Sequence, residues 1–160
     1  MELAEQVVSL ELAKRLKELG VPDNSHLLWV EKDFIVSYNQ ETNKSEVTET
    51  KWHLYDNSPR TYFGEFNTII PAYSVAELGK MLPRQIDYED NFYLPKLEYK
   101  HKYYKLSYFN EFKNPYYLKH KNSTMHEHEF FIDEIQANAL AKMLISLLEK
   151  KFIKVEDLKL

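Results

Sequence analysis

The chain has 160 residues, of which 44% are hydrophobic, and it carries a formal net charge of −4 and no cysteine. This length and composition fit one domain with its own core, so we predict a single globular domain over residues 1–160. The lack of cysteine excludes disulfides, thiolate metal sites, iron–sulfur clusters and cysteine nucleophiles. With only three glycines, the chain also has no glycine-rich phosphate loop and no Gly-x-Ser-x-Gly nucleophile elbow.

The N-terminal stretch "MELAEQVVSLELAKRLKELG" predicts a helix over residues 9–19. Ser9 is suited to cap this helix, and Gly20 followed by Pro22 predicts its end. A signal peptide has a basic region followed by an apolar run. This stretch instead carries acids and amphipathic periodicity, so it does not resemble one. The chain also lacks an uncharged apolar window of about 18 residues, so we expect a cytoplasmic protein that does not enter a membrane.

Strand patterns follow this helix. "HLLWV" and "FIVSYN" flank residues 31–33, which we interpret as the short loop of a hairpin. "EVTETKWHLY" alternates with a period of two and predicts another strand, and "TYFGEFNTII" predicts one more.

"PAYSVAELGKMLP" has the strongest local signal in the chain. Ser74 and Glu77 have the spacing of a capping box, in which each side chain bonds the backbone of the other residue. The helix should end before Pro83. Val75, Leu78 and Leu82 should then face the core.

Residues 88–131 alternate in the manner of an antiparallel meander, with strands at "NFYLPKLEYK", "KYYKLSYF", "YYLKHK" and "MHEHEFF". A final helix is expected to start at the cap residue Asp133, with Gln136 at the reach-back position. Its apolar stripe comprises Ala137, Leu140, Leu144, Leu147 and Leu148. We therefore predict an α+β fold, in which about three helices pack on or beside a mainly antiparallel sheet of roughly five to eight strands.

The segment 96–121 differs in charge from the rest of the chain. It contains seven lysines, two acids and eight aromatic residues. Lysines interleaved with aromatic rings suit nucleic-acid binding, since lysines bind phosphates and rings stack on bases. An exposed antiparallel sheet uses the same residues at its edges and in cross-strand pairs. We favour the second interpretation because the chain as a whole is acidic.

His126 and His128 would lie on one face of a strand, which is a possible geometry for two metal ligands. The third ligand would have to be His53, His101 or His120, and none of these has a recognisable metal-ligand spacing. We favour a solvated strand face and predict no metal, cofactor or catalytic residue.

Other residues could also bind ligands. Asp87, Glu89 and Asp90 could bind a cation, and Trp29 and Trp52 could stack on a ligand. We interpret the acids as a solvated loop and the tryptophans as core residues.

Three stretches carry a resemblance to a known family: "SLELAKRLKELGVP", "IIPAYSVAELGKMLP" and "ANALAKMLISLLEKKFI". They resemble a family of small uncharacterised proteins associated with phages and prophages of Bacteroidetes and Firmicutes. The shared patterns are Pro-Ala-Tyr-Ser/Thr-x-x-Glu-Leu-Gly-x-Met-Leu-Pro and Ala-x-Ala-x-Ala-Lys-Met-Leu-Ile-x-Leu-Leu-Glu. Where the family has Glu-Ala-Asp-Ala-Arg-Ala, this chain has "QANALA" from Gln136, which argues against catalysis there. The resemblance implies a mobile-element origin and no known activity.

The expected function is therefore a non-enzymatic phage or prophage accessory or interaction module, which binds a protein partner or itself. The alternatives are nucleic-acid binding through residues 96–121 and a hydrolase with a histidine-based site.

Overall fold

A computed structural model of the chain describes residues 3–39, 44–56, 68–88, 91–109 and 130–158. In these ranges the chain forms three α-helices, seven β-strands and two short 3-10 helices, Leu3–Glu5 and Val155–Asp157. All strand pairs are antiparallel. The predicted α+β class is confirmed. None of the helices in the described ranges is long and apolar enough to cross a membrane.

The first helix, α1, covers Leu10–Glu18. Gly20 follows it with a φ of 84°, and the Val21 amide donates to the Leu16 carbonyl at 3.1 Å. This left-handed ending is one that glycine adopts without steric cost, so the predicted stop is confirmed. Ser9 does occupy the N-cap position, but its side chain makes no capping hydrogen bond.

The first sheet contains β1 (Leu27–Asn39), β2 (Lys44–Asp56) and β3 (Thr68–Pro71), in the order β2-β1-β3. The predicted loop at residues 31–33 is wrong, because β1 continues through them. Cross-strand hydrogen bonds explain this continuity. The Thr68 hydroxyl donates to Glu31, and the Thr50 hydroxyl donates to Asp33, both at 2.7 Å.

The helix α2 (Val75–Met81) follows β3, and a second sheet begins after it. That sheet has the order β4-β5-β6-β7, with β4 at Ile86–Tyr88, β5 at Asn91–Lys100, β6 at Tyr103–Phe109 and β7 at Phe130–Asp133. The predicted strands at β5 and β6 are confirmed. The predicted strand "YYLKHK" and residues 125–129 lie outside the described ranges. Instead of one sheet, the described strands form two, which α2 separates along the chain.

The last helix, α3, covers Gln136–Glu149. The predicted start at Asp133 is wrong, because Asp133 pairs with Tyr104 as part of β7. The Asp133 carboxylate instead accepts a hydrogen bond from the Ile135 amide at 2.9 Å and one from the Lys142 ammonium at 2.7 Å. The strand ladder and these bonds place the N-cap at Ile135, two residues after the predicted one.

The core lies between the helices and the sheets. Side chains from each helix are completely buried there, including Leu16, Leu78 and Leu144. Val75 is partly buried against this core and Leu82 is buried, as the sequence predicted. Tyr73 is also buried, and its hydroxyl donates to the Pro22 carbonyl at 2.9 Å. The core thus joins residues that are far apart in the chain.

Candidate functional site

Exposed apolar side chains concentrate on the second sheet. In the described ranges five large hydrophobic side chains are exposed, and four of them belong to β5, β6 and β7: Leu97, Tyr99, Tyr103 and Ile132. Tyr99 is the most exposed of the five, at 62%. The register divides these four side chains between two faces: Leu97 and Tyr99 lie on one face of the sheet, and Tyr103 and Ile132 lie on the other.

The β5–β6 hairpin sends its side chains to two faces, because successive residues of a strand point in opposite directions. Tyr99 pairs with Tyr104, and their ring centroids lie 4.8 Å apart at an interplanar angle of 43°. We call the side with these two rings the aromatic face.

The opposite side of the hairpin is the basic face. Its residues are Lys96, Glu98, Lys100, Tyr103 and Lys105. Lysines and aromatic rings that alternate in the sequence are therefore largely separated in space.

A cleft of about 770 Å³ opens beside the aromatic face. Its walls come from the first 3-10 helix, the start of β1, the N-terminal ends of α2 and α3, and the hairpin. Its lining consists of Glu5, Gln6, Leu27, Ser74, Val75, Ala76, Tyr99, Tyr104, Glu134, Ile135 and Gln136. A cleft of this size can hold a peptide side chain or a small molecule.

The α2 wall of the cleft is held by the Glu77 carboxylate. It accepts hydrogen bonds from the Ser74 amide and the Ser74 hydroxyl, both at 2.7 Å. The His26 amide donates to it at 3.0 Å and the Ser25 hydroxyl at 3.3 Å. Burial raises the pKa of Glu77, but these hydrogen bonds lower it by more, so the pKa lies below its ordinary value. The predicted capping box is confirmed, and it also ties α2 to the segment before β1.

The α3 wall is held by Asp133 and Asn138. The Asn138 amide group donates to Asp133 at 3.3 Å, and the Asn138 carbonyl oxygen accepts from the Ser9 amide at 2.8 Å. Burial raises the pKa of Asp133, but hydrogen bonds from Lys142, Ile135 and Asn138 lower it by more. The pKa of Asp133 therefore lies below its ordinary value. Asn138 thus links Ser9, the N-cap residue of α1, to α3.

The charged groups among the described residues that line the cleft are acidic. Glu5 and Glu134 line it and are both exposed. Among the described residues around the cleft, none is Lys, Arg or His. Its charge is therefore opposite to that of the basic face.

On that basic face, two of the lysines share one acid. Glu98 lies 3.1 Å from the Lys96 ammonium and 3.4 Å from that of Lys100. The hydrogen bond from Lys96 and the charge of Lys100 hold the pKa of Glu98 below its ordinary value. Of segment 96–121, the structure describes residues 96–109, and nucleic-acid binding through this segment stays a prediction.

Not every ring of segment 96–121 is available for stacking. Tyr108 is buried, and its hydroxyl donates to the Pro83 carbonyl at 2.6 Å. Burial raises the pKa of Tyr108 far above its ordinary value. Tyr108 is therefore a core residue.

Histidine and acidic candidates from the sequence fall mostly outside the described ranges. This holds for His126, His128, Glu89 and Asp90, and for the side chain of Asp87. Within those ranges, no group of three or more His, Cys, Asp or Glu residues could hold a metal ion.

The remaining candidates pack inside or against the protein. Trp29 is partly buried, and its indole N–H donates to the Val8 carbonyl at 3.0 Å. Trp52 is also partly buried, and the Lys14 ammonium lies 4.7 Å from its ring centroid. The ring of His53 contacts Tyr55 edge-on. Both tryptophans therefore serve packing, as the sequence predicted.

A second groove of about 580 Å³ lies between α1 and α3. Three of the charged side chains that line it form ion pairs with one another. Arg15 lies 2.6 Å from Glu149 and 2.9 Å from Glu18. This pairing is consistent with a structural role for the groove.

Comparisons with protein-family models, with curated proteins and with solved structures find no match to this chain. Sequence reasoning missed the cleft, because its lining comes from five separate parts of the chain. The local sequence signal for the cleft was the pair of tyrosines on either side of a short turn, Tyr99 and Tyr104.

Proposed function

We propose that this chain is a non-catalytic interaction module that binds a protein partner through the aromatic face and its cleft. The observation that carries the proposal is the exposure of Leu97 and Tyr99 on the aromatic face, with Tyr99 at 62% exposure and beside the cleft. Tyrosine is enriched in binding interfaces because its ring buries a large apolar area while its hydroxyl can still bond. In this proposal the module is a phage or prophage accessory that acts in the cytoplasm, and the resemblance of its helices to that family supports the assignment.

A selection from a random peptide library tests the proposal. The 160-residue chain should enrich a consensus sequence, and the Tyr99→Ser variant should enrich it several-fold less. Tyr103→Ser is the matched control, since Tyr103 is an exposed tyrosine on the opposite face of the same hairpin. It should enrich the same consensus as the wild type. If the wild type enriches no consensus, or if both variants behave alike, the proposal fails.

Self-association is measured on the same three proteins by sedimentation. If the wild type dimerises at micromolar concentration and Tyr99→Ser does not, the partner is a second copy of this chain. If all three remain monomeric, the partner must be another protein.

Nucleic-acid binding is the second candidate function, supported by the lysines and Tyr103 on the basic face. Fluorescence anisotropy with a single-stranded 20-mer tests it. Binding should weaken with rising salt, because lysines that neutralise phosphates release counterions. Here Tyr103→Ser should weaken binding and Tyr99→Ser should not, which is the reverse of the result expected for the peptide selection.

A further inference from the structure

The cleft combines two tyrosine rings, one exposed (Tyr99) and one half-buried (Tyr104), with two carboxylates. Tyr99 and Tyr104 form one side of it, and Glu5 and Glu134 contribute the charge. Aromatic rings attract cations through the negative potential over their faces. Carboxylates nearby add to this attraction.

The N-terminal ends of α2 and α3 also border the cleft. Helix N-termini attract anions, but here a carboxylate of the chain already accepts a hydrogen bond from the N-cap amide of each helix. Glu77 accepts from the Ser74 amide at 2.7 Å, and Asp133 accepts from the Ile135 amide at 2.9 Å. An anionic ligand would add negative charge to a site that is already acidic. The charges therefore favour a cationic ligand.

Apolar side chains lie between these groups. Leu27, Val75 and Ile135 line the same cleft. A ligand that fits must therefore have an apolar part as well as a positive charge. Lysine and arginine side chains have this combination, with an alkyl stem and a charged head.

We infer that the cleft binds a lysine or arginine side chain of the protein partner, with the stem against Val75 and Ile135 and the head beside the tyrosine rings. The inference rests on the proposed interaction function and specifies the chemistry of the partner. Glu5 and Glu134 supply the complementary charge.

An NMR titration of the 160-residue chain tests the inference with small probes. The probes are n-butylammonium and n-butylguanidinium, and 1-pentanol is the neutral probe of similar size. Both cations should shift the ring signals of Tyr99 and Tyr104 in a saturable manner, whereas pentanol should shift them several-fold less. The signals of Tyr103 should stay in place, because that ring lies on the basic face.

Variants identify the groups responsible. Tyr99→Ala and Glu134→Gln should each weaken cation binding by about two- to five-fold, the range for exposed cation–π contacts and exposed ion pairs. Tyr99→Phe should retain binding within about two-fold, because the ring remains. Glu134→Gln changes an exposed side chain, so it keeps the test valid even if Tyr99→Ala fails to fold. Tyr103→Ala is the control and should bind as the wild type does.

Several outcomes would overturn the inference: no saturable shift with either cation, equal shifts with pentanol, or equal losses in Tyr103→Ala and Tyr99→Ala. Peptides enriched without lysine or arginine would also overturn it, while leaving the interaction module in place. If the cations bind but no peptide is enriched, the interaction module fails and the cation site stands.

Discussion

Removing the Glu77 carboxylate should destabilise the protein more than removing the Ser74 cap. Ser74→Ala deletes one hydroxyl, which accepts from the Glu77 amide at 3.3 Å and donates to the Glu77 carboxylate. The usual cost of losing such a cap is about 1 kcal/mol. Glu77→Ala deletes the acceptor of four hydrogen bonds, which come from Ser74, His26 and Ser25. Hydrogen bonds to charged groups contribute about 1.5–3 kcal/mol each, but water can replace those on the exposed side, so we expect a total loss of about 2–3 kcal/mol.

The contribution of Glu77 should also depend on pH. Its pKa is below the ordinary value in the folded protein, so its contribution is complete above the unfolded-state pKa of about 4.3. It is lost as the pH falls through the folded-state pKa. The difference in unfolding free energy between the wild type and Glu77→Gln should therefore be constant from pH 7 to about pH 5 and shrink below about pH 4.

Urea unfolding followed by tryptophan fluorescence measures these differences, because Trp29 and Trp52 are both partly buried. Glu156→Gln is the control, since Glu156 is an exposed glutamate on the second 3-10 helix. The reasoning is refuted if Glu77→Ala costs no more than Ser74→Ala, or if the Glu77→Gln difference stays unchanged down to pH 3.

Three further changes test other parts of the structure. Leu144→Ala should lower the unfolding free energy by about 2–5 kcal/mol in urea, since Leu144 is completely buried, and a loss below about 0.5 kcal/mol would contradict its core position. The double change His101→Asn, Lys102→Gly should raise the urea midpoint by the equivalent of about 1–2 kcal/mol, because both residues have positive φ, and a lower midpoint would contradict this turn geometry. His126→Gln with His128→Gln should change stability by less than about 1 kcal/mol, and a matching loss when a chelator is added to the wild type would instead indicate a structural metal.

Local signals in the sequence predicted α2 and the end of α1 correctly. The capping box of Ser74 and Glu77 lies within four residues, so neighbours in the chain suffice to form it. Gly20 ends α1 for an equally local reason, its ability to adopt positive φ. Features that depend only on nearby residues can therefore be read from one sequence.

Predictions that ignored tertiary contacts were wrong. Asp133 has the chemistry of a helix cap, but pairing with Tyr104 keeps it in β7, so α3 begins after Ile135. Residues 31–33 look like a loop by composition, but threonine partners on β2 and β3 hold Glu31 and Asp33 in β1. In both cases, bonds to residues distant in the chain override local preference.

The aromatic face depends on the turn at the tip of the hairpin. His101 and Lys102 form a two-residue turn with φ of 51° and 72°, and this turn sets Tyr99 opposite Tyr104. Turns of this kind match the twist of paired strands, but they favour Asn and Gly, because other residues are less stable at positive φ. Because register alone places the two rings on one face, Asn and Gly at these positions should stabilise the hairpin and leave cation binding unchanged. If cation binding were lost in that more stable variant, the side chains of His101 and Lys102 would belong to the recognition surface, and the cleft would extend to the tip of the hairpin.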